Sequence, residues 1–226
     1  FEQAVEYDPN YAAAYAGLAE SVLLLENNHQ ALPQAQAYEI ARANLQKALE
    51  LDPDLADAYA VKGLLESKIW QQTRVGRENL EAEAAFRRAI ELNPNHASAY
   101  MWFAMLRDGE ERDDEAIELF QRSMELDPLG RIPYTNLPML YAQRGRDNEA
   151  TRLWLEAMEI HPEWPMPQQY MATHMAGLGR LDEAVAWMQR AIEMSDDQTL
   201  AMFNVRLFVA FGDMDRAVEI VKTLPD

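Results

Sequence analysis

Residues 120–128 read FQRSMELDP, and 34 positions later residues 154–162 read WLEAMEIHP. Working outward, the same phrase stands at 86–94 as FRRAIELNP, at 45–53 as LQKALELDP and at 1–9 as FEQAVEYDP. Residues 188–196, MQRAIEMSD, keep the phrase without its proline. Each copy opens on a large apolar residue: Phe1, Leu45, Phe86, Phe120, Trp154 and Met188. A small residue follows three positions on, at Ala4, Ala48, Ala89, Ser123, Ala157 and Ala191. An alanine precedes the large residue by four at Ala41, Ala82, Ala116, Ala150 and Ala184. Steps of four and three put all of these on one helix face. Tyr15, Tyr59, Tyr100 and Tyr134 each follow a phrase-ending proline by six. Large residues fill a core and small ones let neighbouring helices approach closely.

The phrase ends, Pro9, Pro53, Pro94, Pro128, Pro162 and Asp196, are spaced 44, 41, 34, 34 and 34 residues apart. The pattern predicts paired helices at 11–26 and 34–51, 55–72 and 78–92, 96–108 and 113–126, 130–144 and 147–160, 166–178 and 181–194, and 197–211 and 214–223. Residues 1–9 read as the tail of a preceding repeat. Glycine ends one helix and aspartate opens the next around Gly145-Arg146-Asp147 and Gly179-Arg180-Leu181-Asp182. The first two repeats carry ten and seven extra residues between their paired helices, around 27–38 and 71–79, which should lengthen those hairpins and raise a ledge. Pro138 falls inside a helix, where it removes an amide donor and is expected to kink the segment. Lys62 stands where a leucine is usual, so its stem should pack while its ammonium reaches water. Gln168 replaces the aromatic of the fifth repeat.

A 34-residue period of two helices resembles the tetratricopeptide repeat (TPR) family over essentially the whole chain. The resemblance implies an all-α fold: a right-handed superhelical solenoid of antiparallel helix hairpins, one array over 1–226 with about five full repeats and a sixth nearly complete. It also implies a concave face lined by the first helix of each pair. Family offsets place Ala13, Ala16, Glu20, Asp57, Ala60, Leu64, Lys68 and Ser98 on that face. They add Met101, Trp102, Met105, Ile132, Thr135, Asn136, Met139, Met166, Gln169, Tyr170 and Thr173, with Met202 and Arg206 in the last repeat. Members that clamp a C-terminal carboxylate use lysine, asparagine and arginine at offsets held here by Ala16, Glu20, Val61, Asp57 and Trp102, so that clamp is not expected. A row of methionines with one tryptophan replaces it. Methionine is flexible and polarizable and suits surfaces that take varied apolar side chains. It also packs readily between helices, the plainer explanation for any one of these residues.

Composition excludes several functions. The chain has 20 basic and 38 acidic residues, a net charge of −18, which repels phosphate backbones and argues against direct nucleic-acid binding. Without cysteine there are no disulfides and no thiolate metal sites. No apolar run is long enough to span a membrane. Of His29, His96, His161 and His174, no two have metal-pair spacing, and the first three fall in loops or at helix starts, where solvated side chains are expected. Neither phosphate-cradling glycine motifs nor a GxSxG nucleophile occurs. Asp113-Asp114-Glu115 opens a helix, where acids complement its dipole.

No cofactor, metal or catalysis is therefore expected. The favoured reading is a scaffold that binds a protein or peptide, of basic and amphipathic character, through Met101, Trp102, Met105, Thr135, Asn136, Met139, Met166, Gln169 and Thr173. Two alternatives stand beside it. The phrases FEQAVEYDPNYAAAYAGLAE (1–20) and FRRAIELNPNHASAY (86–100) are similar to C-terminal arrays of bacterial winged-helix or cyclase-type regulators, which implies a sensory domain in the bacterial cytoplasm or periplasm. Alternatively, the array is the substrate-recognition arm of a larger enzyme. Phe1, Ala4 and Val5 belong to a helix without its partner, so self-association through the N-terminal end is also expected.

Overall fold

The computed structural model describes residues 1–25, 32–73, 79–195 and 209. Among these the chain is all helical: α1 (Glu2–Tyr7), α2 (Ala12–Leu25), α3 (Gln34–Leu51), α4 (Ala56–Thr73), α5 (Leu80–Leu92) and α6 (Ala97–Gly109). After them come α7 (Asp113–Leu126), α8 (Pro133–Gln143), α9 (Asp147–Ile160), α10 (Met166–Gly177) and α11 (Leu181–Glu193). The helix expected at 197–211, apart from Val209, and the helix expected at 214–223 lie outside the described residues, as do 27–31 and 74–78 of the two extended connections. What is described of those long repeats is extra helix, since α3 and α4 each run 18 residues.

Two compact units divide the chain at Pro128/Leu129. In the first, α2 pairs with α3, α4 with α5 and α6 with α7, while α2, α4 and α6 pack in sequence as an inner layer. In the second, α8 pairs with α9 and α10 with α11, and α8 packs beside α10. The core is the one the repeated phrase selects. Leu45, Phe86, Phe120, Trp154 and Met188 are buried, and so are the small residues Ala48, Ala89, Ser123, Ala157 and Ala191. Phe1 is exposed, yet its ring lies where a side chain on Gly17 would stand. Gly63 lets the Phe86 ring approach, because a Cβ there would sit 2.5 Å from a ring carbon.

The phrase endings have a physical reason. The amides of Asp8, Asp52, Asn93, Asp127 and His161 donate to the carbonyls of the small residues four before them, closing the last helical turn. Three of those side chains then accept from the amide two residues on, at 3.0 Å (Asp8 to Asn10), 3.1 Å (Asp52 to Asp54) and 3.0 Å (Asn93 to Asn95). This Asx turn makes Asp or Asn before proline a reliable stop. Tyr15 and Tyr59 donate their hydroxyls to the carbonyls of Pro9 and Pro53, both at 3.2 Å, which ties the next helix to the turn.

Turns between paired helices share a second device. Glu111, Gly145 and Gly179 have φ of 60°, 70° and 75°. The arginine after each donates its amide to a carbonyl five residues back, Arg112 to Arg107, Arg146 to Tyr141 and Arg180 to Met175, all at 2.9 Å. This is the Schellman closure that glycine favours. Each arginine then holds the glutamate three residues on: Arg112 Nε to Glu115 at 2.8 Å, Arg146 Nε to Glu149 at 2.9 Å, Arg180 Nε to Glu183 at 2.7 Å.

α8 starts three residues later than the sequence suggests. Leu129-Gly130-Arg131 stays outside the helix, and Pro133, which has no amide to satisfy, supplies its first turn. Pro138 is buried inside α8, which runs from Pro133 to Gln143 across it.

Candidate functional site

In the first unit, Asp57 stands in the first turn of α4 and is exposed. His96, the N-cap of α6, accepts from the Ala99 amide through Nδ1 at 3.3 Å and brings Nε2 within 3.1 Å of Asp57 Oδ1. Glu20, from α2, reaches the same place half-buried. Burial pushes its carboxyl up from the usual range, and the neighbouring Asp57 pushes the same way, with His96 offsetting part.

Further along α4, Leu64, Ser67, Lys68 and Gln71 face Trp102, Met105 and Leu106 of α6 across a small notch of about 70 Å³. Met101 and Trp102 are only 8% and 6% exposed. Both lie on α6, but packing covers them, so Trp102 meets the notch mainly as wall. Met105 is the half-exposed member.

In the second unit, Thr135, Asn136, Met139, Met166 and Gln169 are half-buried and Thr173 is exposed. Their polar groups are engaged locally. Thr135 Oγ1 donates to the Arg131 carbonyl at 3.4 Å, Asn136 Nδ2 to the Ile132 carbonyl at 3.0 Å, and Thr173 Oγ1 to the Gln169 carbonyl at 3.0 Å. Met139 and Met166, with exposed Ile132 and half-buried Tyr170, are therefore the apolar elements this face can offer a partner.

Two of the histidines correct the expectation of solvated side chains. His96 is mostly buried by its capping role, and His161 is buried under Trp164, whose ring meets it edge-on at a centroid distance of 5.8 Å. His174 also packs inside, 5.2 Å from the Trp154 ring and 3.4 Å from Asp147 Oδ1, and burial lowers its pKa. His29 lies outside the described residues. Among the described residues no group of three or more His, Asp or Glu side chains is placed to hold a metal ion, and no helix is long and apolar enough to cross a membrane.

Two features of the first unit were hidden in the sequence. Lys62 is exposed, as expected, but its place on α4 leaves an outer groove of about 460 Å³ between α3 and α4, floored by Leu45, Leu49 and Leu65. Phe103, Leu137 and Met171, the equivalent residues of the next three repeats, are all buried. The second feature is Arg107, a fully buried arginine. It contacts Glu110 at 2.5 Å, Glu83 at 2.8 Å and Glu115 at 3.2 Å, and its guanidinium lies 4.5 Å from the Phe103 ring centroid. The Glu110 contact is an aligned hydrogen bond, whereas Nε and Nη2 have ion-pair distances without hydrogen-bond geometry. Glu110 Oε1 also accepts from the Asn79 amide at 2.7 Å, and Asn79 caps α5 and donates to the Glu66 carbonyl at 2.7 Å. The cluster thus joins α4, α5, α6 and α7 where the extended second hairpin re-enters the core.

Residues 75–130 and 176–198 each match a family described as tetratricopeptide repeat. The helix hairpins within each unit agree. This is a tetratricopeptide-repeat fold. PilW, a type IV pilus biogenesis factor, superposes with a TM-score of 0.70 at 20% identity, over 92% of this chain and 90% of its own. Pseudomonas aeruginosa PilF gives 0.65 at 18%, over 92% and 90%. YrrB, a TPR protein described as having an unusual peptide-binding site, gives 0.58 at 22%, over 91% and 97%. At these identities the likeness is one of TPR fold. No curated protein matches the chain in sequence.

Proposed function

We propose that this TPR chain is a binding scaffold that holds a protein or peptide on the inner face of its first helices and performs no chemistry of its own. One observation carries the reading. Leu64, Trp102 and Met105 wall a notch between adjacent inner helices, the shape that takes an apolar side chain from a partner. Met105 borders it half-exposed and can adapt to what enters. The peptide-binding site in the description of YrrB supports the reading by fold analogy alone. A net charge of −18 favours a basic partner and disfavours nucleic acid. Met139, Met166 and Thr173 offer a second, smaller apolar face in the other unit. No structural observation favours the regulator or substrate-arm alternatives.

The test is a peptide display selection on the immobilised chain, followed by titration of a recovered peptide. Met105→Glu should weaken that peptide at least tenfold, while Leu49→Glu in the outer groove should leave it unchanged. The opposite pattern would move docking to the groove between α3 and α4, and a selection that recovers no binder would remove the scaffold reading.

A further inference from the structure

We infer that the inner face of residues 1–128 takes an extended peptide in which an arginine or lysine stands three to five residues from a bulky apolar side chain. The inference rests on the scaffold reading and specifies its ligand. Its apolar half is the notch of Leu64, Trp102 and Met105. Its charged half is the pair Glu20 and Asp57, drawn from two different helices to one place on the same inner layer.

Asp57 alone has an ordinary explanation, because an acid in the first turn complements the helix dipole. Glu20 has none. It sits well inside α2, half-buried beside a like charge, and His96, the one base acting on it, is itself engaged as a cap. Burial first, and the nearby Asp57 second, disfavour its ionised form, and a cation delivered by a partner would relieve both. The remaining cationic side chain at the notch, Lys68, lies at the far end of α4, so the face is acidic at one end and apolar with a lysine at the other.

Helix geometry sets the spacing. Asp57, Leu64 and Lys68 follow one another on the inner face of α4 at steps of seven and four residues, which at a rise of 1.5 Å is about 10 Å from Asp57 to Leu64 and about 16 Å to Lys68. An extended peptide advances about 3.3 Å per residue and covers that span in roughly three to five residues. The order of base and apolar residue along the peptide is left to the experiment, which includes both.

The probes are fluorescein-labelled peptides with one arginine and one leucine separated by zero to seven Ser/Ala residues, in both orders, titrated by anisotropy against the full chain at low salt. Affinity should peak at two to four intervening residues. Replacing the peptide arginine with glutamate should cost at least tenfold. Glu20→Gln with Asp57→Asn should reduce the preference for arginine over glutamate to less than twofold, with helicity by circular dichroism unchanged. Binding that ignores spacing, or an arginine preference that survives the double substitution, would overturn the inference. So would failure of the whole series to bind. Display-selected peptides that still lose affinity in Met105→Glu would then show that the scaffold reading stands while this ligand assignment fails.

Discussion

Replacing Arg107 with methionine should destabilise the first unit more than any other single surface-neutral change in it. The reasoning starts from burial. Arg107 has a fully buried side chain, and so does its partner Glu110. Methionine has similar length and would fill the space over Phe103, so packing loss is small. What remains is a carboxylate inside the protein without the guanidinium that neutralised it. Breaking one side of a buried pair costs about 3–5 kcal/mol, which for a chain of this size is a fall of roughly 6–20 °C in melting temperature. Arg112 sits 3.9 Å from Glu110 and 4.0 Å from Glu83, and it will recover part of the loss. We therefore expect the lower half of that range. Adding Glu110→Gln to Arg107→Met removes the stranded charge and should restore much of the stability, though Asn79 then loses a charged acceptor. Urea and thermal unfolding followed by circular dichroism measure both variants. A loss below about 1 kcal/mol in the single variant, or no recovery in the double, would refute the account of a charge stranded by its partner's removal. Acid should act on the same cluster. Burial raises the Glu83 carboxyl, but the Arg107 guanidinium at 2.8 Å and the hydrogen bond from Arg87 outweigh it and hold the folded pKa below the usual value. A depressed acid stabilises above its unfolded pKa, near 4.5, and that contribution is lost as pH falls below this value toward the folded one.

Glu111→Gly should raise the unfolding free energy from urea titration by roughly 0.5–1 kcal/mol, because φ of 60° suits glycine and strains a residue with a Cβ; Gly145→Ala should lower it by a similar amount. Lys62→Leu should fill part of the outer groove over Leu45 and Leu65 and stabilise the chain by about 1 kcal/mol, measured the same way; a neutral result would mean the groove walls do not close on the new side chain. His174 is held neutral by burial, so its folded pKa lies below 6.5. Its stabilising contribution is complete above that pH and declines as pH falls through 6.5 toward the folded value. His174→Gln should flatten that part of the stability profile between pH 7.5 and 5.5, and an unchanged slope would assign it elsewhere.

The sequence exposed what repeats and concealed what is assembled. Leu45, Phe86, Phe120, Trp154 and Met188 were readable as core because the same contact is made in every hairpin, so one physical requirement writes itself into the chain many times. The caps were readable for the same reason, and Glu111 shows the limit: the turn needs positive φ, yet the residue filling it gives no sign of that. Met101 and Trp102 were expected to be more exposed than they are, because an offset fixes a position along the repeat while the packing around α6 decides what is covered. Arg107 was invisible. It occupies the position of Tyr141 and Met175 in later repeats, where a charged residue would ordinarily mean a solvated edge. Its burial is tolerable only because Glu83, Glu110 and Glu115 arrive from three segments, and no local pattern records that meeting. Glu20 and Asp57 obey the same logic with the opposite outcome: two residues from separate repeats influence one another on the inner layer, and among the described residues the base acting on both is His96, itself engaged as a cap. Arg107 shows that this fold does balance charge where only its own stability is at stake. The imbalance at Glu20 and Asp57, on the face next to the notch, is therefore the stronger reason to look for the missing cation on a partner.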